Sequence, residues 1–218
     1  MRIVIFGAGG HAKVVCDVIE AFGGFTVAGF VTPDPEAATY LGYPLHREET
    51  FLRTGPAIDA AAIAIGDNAV RWRVAAQIRT ALPKIAFPAL VHPTAVISSR
   101  AILSEGSIVM ARAVVNAAAL VGRFAIVNTG AILEHDSRLG DGAHLAPGSV
   151  VGGAGQIGDG CLVGIGATVR PGVRMAAGSV LGAGAVAVSH LEEMAVFVGV
   201  PAVRMKQRNQ TRTIAPED

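Results

Sequence analysis

The chain has 218 residues, 51% of them apolar and 16% charged, with Lys+Arg 18 against Asp+Glu 17. That length and apolar content support one large domain or two small ones with real cores and exclude intrinsic disorder. The near-even charge balance excludes a bulk electrostatic footprint for nucleic acid or an anionic membrane, and two distant cysteines, Cys16 and Cys161, without CxxC spacing exclude a disulfide scaffold or zinc knuckle and predict two reduced thiols.

From the N-terminus, residues 2–6 form a short apolar strand, too short and lacking a cleavage site for a signal peptide. No later apolar run reaches the about 20 residues of a membrane span, so the chain is expected to be cytoplasmic. The strand runs into Gly7, Ala8, Gly9, Gly10 and His11, then a helical pattern over 12–22. A second strand, 26–31, ends at Thr32, Pro33 and Asp34; a third, 61–65, ends at Gly66, Asp67 and Asn68 before a helical segment over 69–82. Strand, glycine turn, helix and strand describe a small βαβ unit with its turns at the carboxyl ends of parallel strands. A glycine turn at a helix N-terminus offers N–H groups to a phosphate, although the spacing departs from GxGxxG and equally suits a tight structural turn. About ninety residues favour a mononucleotide or nucleotide sugar over a dinucleotide. Arg71, Trp72 and Arg73 read as the surface and packing side of the last helix.

From Val91 onward an aliphatic residue recurs every six positions, through Ile97, Leu103, Val109, Val115, Val121, Val127, Leu133, Leu139, Leu145, Val151, Ile157, Val163 and Val169, to Met175 and Leu181. The residue two places earlier is small in nearly every hexad, and glycine follows the aliphatic residue at Gly122, Gly140, Gly152, Gly158, Gly164 and Gly182, as expected at a corner needing unusual backbone angles. Period six fits neither helix nor ordinary meander. It fits short strands turning three corners per coil, so that residues 18 apart stack; sixteen hexads make just over five coils, a triangular prism roughly 25 Å tall. Outward apolar or small positions such as Val114, Leu120, Ala131 and Ile132 favour burial against another copy.

His135 lies two residues after the core residue Leu133 and therefore off the core, with Asp136 beside it: an imidazole and carboxylate suited to general-base work, or equally a solvated pair. His144 falls half a coil further on. Beyond the hexads, the apolar segment 197–201 reads as a loop that caps the solenoid, and residues 206–218 as a polar tail.

Five motifs in order, FGAGGHAKVV at the N-terminus, IAIGDN at 63–68, the hexad array, NTGAILEHD at 128–136 and FVGVPAVRM near the end, resemble the sialic acid O-acetyltransferase-like sugar acyltransferases. These include the N-acetyltransferases of nucleotide-linked 4-amino-4,6-dideoxy sugars. The resemblance implies a Rossmann-like domain over 1–88, a left-handed parallel β-helix over 89–195 and a C-terminal loop and tail over 196–218. It also implies a homotrimer with the active site between subunits, and acetyl-CoA as co-substrate without a metal.

On the same basis His135 would be the general base assisted by Asp136, and the Gly153 N–H, one coil above His135, the oxyanion donor. Acetyl-CoA would meet His144, Gly153, Ile165, Ala183, Val200 and Pro201. The nucleotide sugar would meet Gly9, Gly10, His11, Thr32, Asp34, Gly66 and Asn128. The family's acidic pair after the second strand is replaced by Thr32, Pro33 and Asp34, leaving the base, uracil or guanine, open. Competing expectations are sugar O-acetylation, a zinc lyase on the same prism using His135, His144 and a third ligand such as His92 or His190, and a non-catalytic sugar-nucleotide-binding scaffold.

Overall fold

A computed structural model describes residues 1–55 and 57–208; the expected tail beyond residue 208 lies outside them. The N-terminal part is a five-stranded sheet built from β1 (Arg2–Phe6), β2 (Thr26–Thr32), β3 (Thr39–Tyr40), β4 (Tyr43–Arg47) and β5 (Ala60–Ile63), in the order β3-β4-β2-β1-β5. All its pairings are parallel except the β3–β4 hairpin. Helices α1 (Gly10–Phe22), α2 (Glu48–Thr54) and α3 (Asn68–Ala81) complete it.

The termini of α1 and α3 follow from local chemistry. Asp67 caps α3 by accepting the Val70 N–H at 2.8 Å, whereas α1 starts at Gly9 with no side-chain cap and ends at Gly23, whose φ of 73° suits glycine. The start of α1 thus offers its first N–H groups no side-chain acceptor.

From Leu90 onward the chain winds through two-residue strands with a repeat of 18, so Leu133 pairs with Val151 and Val151 with Val169. The ladder residues from Val109 to Leu181 are buried to within about 1%. Each buried Val or Leu stabilises the coil by about 1.5–3 kcal/mol relative to exposure, which explains why an aliphatic residue holds every sixth position.

Three faces result. One carries Leu90, Ile108, Ile126 and His144 outward; these are buried against the N-terminal part, where Leu90, Ile108, Met110 and Ile126 share a core with α1 and β1. We call it the docked face. The second, apolar face carries Val96, Val114, Ile132 and Val150, and the third, basic face carries Arg138, Gln156 and Arg174.

Two sequence expectations are corrected at the corners. The glycines following the ladder residues do not have the unusual backbone angles. Positive φ falls instead at every sixth residue from Gly106 to Gly184, including Arg112, Phe124 and Asp136. Gly122 and Gly164 are needed because the next coil passes so close: a Cβ would lie 2.6 Å from Gly140 C and from Ala183 N, respectively. Ala131 is fully buried in the prism core rather than outward-facing, because a corner residue with a small side chain points in to let the turn close.

Segment 197–201 begins in a strand and continues as a turn. Ala195–Val198 extends the docked face and pairs antiparallel with Val203–Gln207, and Leu191, Ala195 and Phe197 close the core at that end. Both cysteines are free and buried. Among the described residues no helix is long and apolar enough to cross a membrane.

Candidate active site

His135 stands on the corner between the apolar and basic faces, in the turn after Ile132–Leu133. Asp136 takes the left-handed position of that turn, with φ of 59°, a conformation that Asp tolerates better than most residues. The turn brings its Oδ2 to 2.8 Å from His135 Nδ1. With Nδ1 committed to the carboxylate, Nε2 is the free nitrogen of a neutral ring. The hydrogen bond to Asp136 raises the His135 pKa above its ordinary value.

One coil on, Gly153 lies against that ring. A Cβ at 153 would sit 2.6 Å from Nε2 and 2.7 Å from Cε1. At the equivalent turn position the N–H groups of Arg123, Thr129, His135 and Asp141 each donate to a side-chain oxygen, whereas among the described residues those of Ala111, Ala117, Asp159 and Ile165 meet none. Among the described residues no acceptor meets the Gly153 N–H.

A second constellation lies elsewhere in the chain. Gly9, Gly10, His11, Thr32 and Gly66 line one pocket of about 570 Å³ at the carboxyl ends of β1, β2 and β5, together with Glu48, Arg73 and Gln77. This is where an open parallel sheet receives ligands, and its volume suits a nucleotide-sized molecule. Asp34 does not line it. Its carboxylate instead pairs with Arg47 at 2.7 Å on the exposed edge, because β4, missed in the sequence, runs beside β2. Glu48, at the start of the equally unforeseen α2, was also missed; the signals were the Tyr40-Leu41-Gly42-Tyr43 hairpin and the acidic pair Glu48, Glu49 that suits a helix N-terminus.

His144 and Asn128 lie behind the Gly66 wall of this pocket, away from His135. His144 is buried on the docked face, its Nε2 3.0 Å from Asn128 Nδ2 and its Nδ1 3.4 Å from the Gly66 carbonyl. The amide donates, so the ring carries its proton at Nδ1. The His11 ring lies 6.2 Å away, its Nε2 buried without a partner among the described residues. Burial, reinforced by the nearby Arg71 cation, pushes the pKa of His11 down to about 4 and that of His144 to about 3. Within one chain Asn128 sits beside His144 at the end of the docked face, whereas His135 occupies the next corner.

Ile165 and Ala183 stack one coil apart on the corner between the docked and apolar faces, linked by the Gly184 N–H to the Ile165 carbonyl at 2.8 Å. Val200 and Pro201 follow at the same end, where the Ala202 N–H reaches the Val186 carbonyl. Ile165 and Val200 are exposed. Gly153 is on the other corner. Among the described residues no group of three or more His, Cys, Asp or Glu could hold a metal ion.

Comparison with known proteins adds to this geometry. Residues 2–78 match the profile of the PglD N-terminal domain. A mutant of perosamine N-acetyltransferase from Caulobacter crescentus, solved with CoA and GDP-perosamine, is 37% identical, covering 95% of this chain and 98% of that one with a TM-score of 0.90. The chain belongs to the sugar N-acetyltransferase family.

Another member of this acetyltransferase family, the acetyltransferase domain of PglB from Neisseria gonorrhoeae in complex with acetyl coenzyme A, is 31% identical over 94% of this chain and 98% of that one, with a TM-score of 0.87. UDP-N-acetylbacillosamine N-acetyltransferase of Bacillus subtilis is 35% identical over 110 residues, 48% of this chain; the match spans 49% of that curated relative.

Proposed function

We propose that this sugar N-acetyltransferase moves the acetyl group of acetyl-CoA to the 4-amino group of a nucleotide-linked amino-dideoxy sugar, UDP- or GDP-activated, in the cytoplasm. One observation carries the chemistry: His135 is oriented by Asp136 at 2.8 Å through Nδ1, with Nε2 held over Gly153. Nε2 takes the proton as the sugar nitrogen attacks the thioester carbonyl, and Asp136 stabilises the imidazolium that forms. The Gly153 N–H meets the developing oxyanion, a contribution of about 3 kcal/mol where such donors have been removed. Collapse breaks the C–S bond, and the imidazolium returns its proton to the departing thiolate.

The nucleotide sugar occupies the pocket of Gly9, Gly10, His11, Thr32 and Gly66, its diphosphate at the uncapped start of α1. Acetyl-CoA lies along the corner of Ile165, Ala183, Val200 and Pro201 and reaches His144 and Gly153. These groups flank opposite edges of the apolar face, so one chain by itself holds the base away from the substrate pocket. Three chains burying Val96, Val114, Ile132 and Val150 against one another bring the His135 corner of one to the Ile165 corner of the next. A homotrimer with its active site between subunits is therefore part of the proposal.

The test is His135→Ala in the full chain. Folding and oligomeric size should be unchanged while turnover with acetyl-CoA and UDP- or GDP-linked 4-amino sugars falls by about 10²–10⁴. Near-normal turnover would remove His135 from the mechanism. Acetylation of a 4-hydroxyl analogue in preference to the amine would make the enzyme an O-acetyltransferase.

A further inference from the structure

Arg71, read from the sequence as a surface residue of α3, is 1% exposed. Its guanidinium spends all five N–H donors on neutral oxygens: Nε on the Phe124 carbonyl at 2.8 Å, Nη1 on the Ile65 and Gly66 carbonyls at 2.9 and 3.1 Å, and Nη2 on Asn68 Oδ1 and the Gly142 carbonyl at 2.8 Å each. Two of these acceptors belong to the loop from β5 to α3, one to the first residue of α3 and two to adjacent prism coils. Asn68 continues the seam by donating to the Gly160 and Cys161 carbonyls at 3.1 and 2.9 Å.

The guanidinium is fully bonded, but among the described residues no carboxylate hydrogen-bonds to it; Asp67, at the N-cap of α3, is the carboxylate whose charge it feels. Burying such a charge is costly, and hydrophobic packing of Trp72 on Phe124 would already hold the two parts together. The charge sits behind Ile65 and Gly66, which line the glycine pocket. A diphosphate there carries the complementary charge, and the buried guanidinium acts on it through the Ile65-Gly66 wall rather than through water, so the attraction is stronger.

We infer that Arg71 is a positioning residue for the nucleotide-sugar site: it fixes the Ile65-Gly66 wall to the prism at Phe124 and Gly142 and sets a positive charge behind the diphosphate. The inference rests on the proposed function for the identity of the ligand. It assigns Arg71 no contact with the reacting atoms.

The experiment compares wild type with Arg71→Met and Arg71→Lys as full chains. It reads affinity for UDP and for GDP alone by calorimetry, KM for the amino sugar and for acetyl-CoA, and the NMR titration of His11 and His144. In Arg71→Met, affinity for the nucleoside diphosphate and the amino-sugar KM should worsen about tenfold while the acetyl-CoA KM stays within about twofold. Both histidines should titrate at higher pH once the cation is gone. Arg71→Lys keeps the charge but offers three donors to five acceptors, so it should recover part of the nucleotide affinity. If Arg71→Met does not fold, Arg71→Lys alone decides, by raising the amino-sugar KM without raising that of acetyl-CoA.

Unchanged nucleotide affinity, or equal losses for both substrates, would overturn the inference. A wild type that binds UDP or GDP yet acetylates no amine would overturn the acetyl-transfer function only, and the calorimetry would still judge Arg71. A wild type that binds neither nucleotide would overturn both.

Discussion

His135 and Gly153 stack across a single coil so closely that a methyl group at 153 would stand 2.6 Å from the imidazole Nε2. The ring must therefore swing away in Gly153→Ala, while the backbone, which lacks positive φ there, accepts alanine. We expect kcat to fall about 10- to 100-fold with the melting temperature nearly unchanged, since about a 1 Å misplacement of a catalytic group is worth that much. Steady-state kinetics beside thermal melts check it; a wild-type kcat would show that the ring is free to stand elsewhere.

Asp136 controls the proton on His135. Its hydrogen bond raises the imidazole pKa, so the base loses activity as pH falls through a value above the ordinary 6.5. Asp136→Asn keeps a residue suited to the left-handed position. It should move the acid limb of the kcat/KM profile to lower pH and reduce the plateau, because the imidazolium is no longer stabilised. An acid limb at the wild-type pH would contradict the pairing.

Acid should loosen the seam between the sheet and the prism. His11 and His144 are held neutral in the fold, with pKa values near 4 and 3, and protonate near 6.5 when unfolded. Between those limits the unfolded chain binds more protons, so stability falls as pH drops below 6.5, by up to about 1.4 kcal/mol per pH unit for each group. Melting temperatures from pH 7.5 to 4.5 should show this slope. The double variant His11→Asn/His144→Gln should flatten it, even if it melts lower throughout.

The apolar face offers a test of assembly. Ile132 and Val150 pair on adjacent coils and are partly exposed. Ile132→Arg places a charge where copies would meet, a change that costs several kcal/mol in a buried interface. Light scattering should report monomers and assays little turnover, with the circular dichroism of the wild type retained. A trimer of unchanged mass would place the interface on another face.

The hexads were legible because each ladder residue repeats a single requirement, filling a prism at one level, and 16 repetitions make the period unmistakable. The corners were harder. Glycine marks both close approach, as at Gly122, and positive φ, as at Gly130, and composition does not separate the two causes. His135 and Asp136 could be paired from the sequence because they are neighbours and one left-handed turn joins them. Arg71 could not be read. Its acceptors at Phe124 and Gly142 lie 53 and 71 residues away, and an arginine in a helix gives no local sign of which carbonyls will surround it.

The sequence by itself determined the stacked coils, the glycine turn at the head of α1 and the imidazole–carboxylate pair, since each follows from local spacing and side-chain chemistry. Only the tertiary structure decided that His144, with Asn128 beside it, meets Gly66, and that Arg71 is buried behind the glycine pocket. The reason is physical: coil period fixes which residues share a corner, but docking of the sheet onto one face, driven by long-range burial of Leu90, Ile108 and Ile126, chooses which corner closes a pocket.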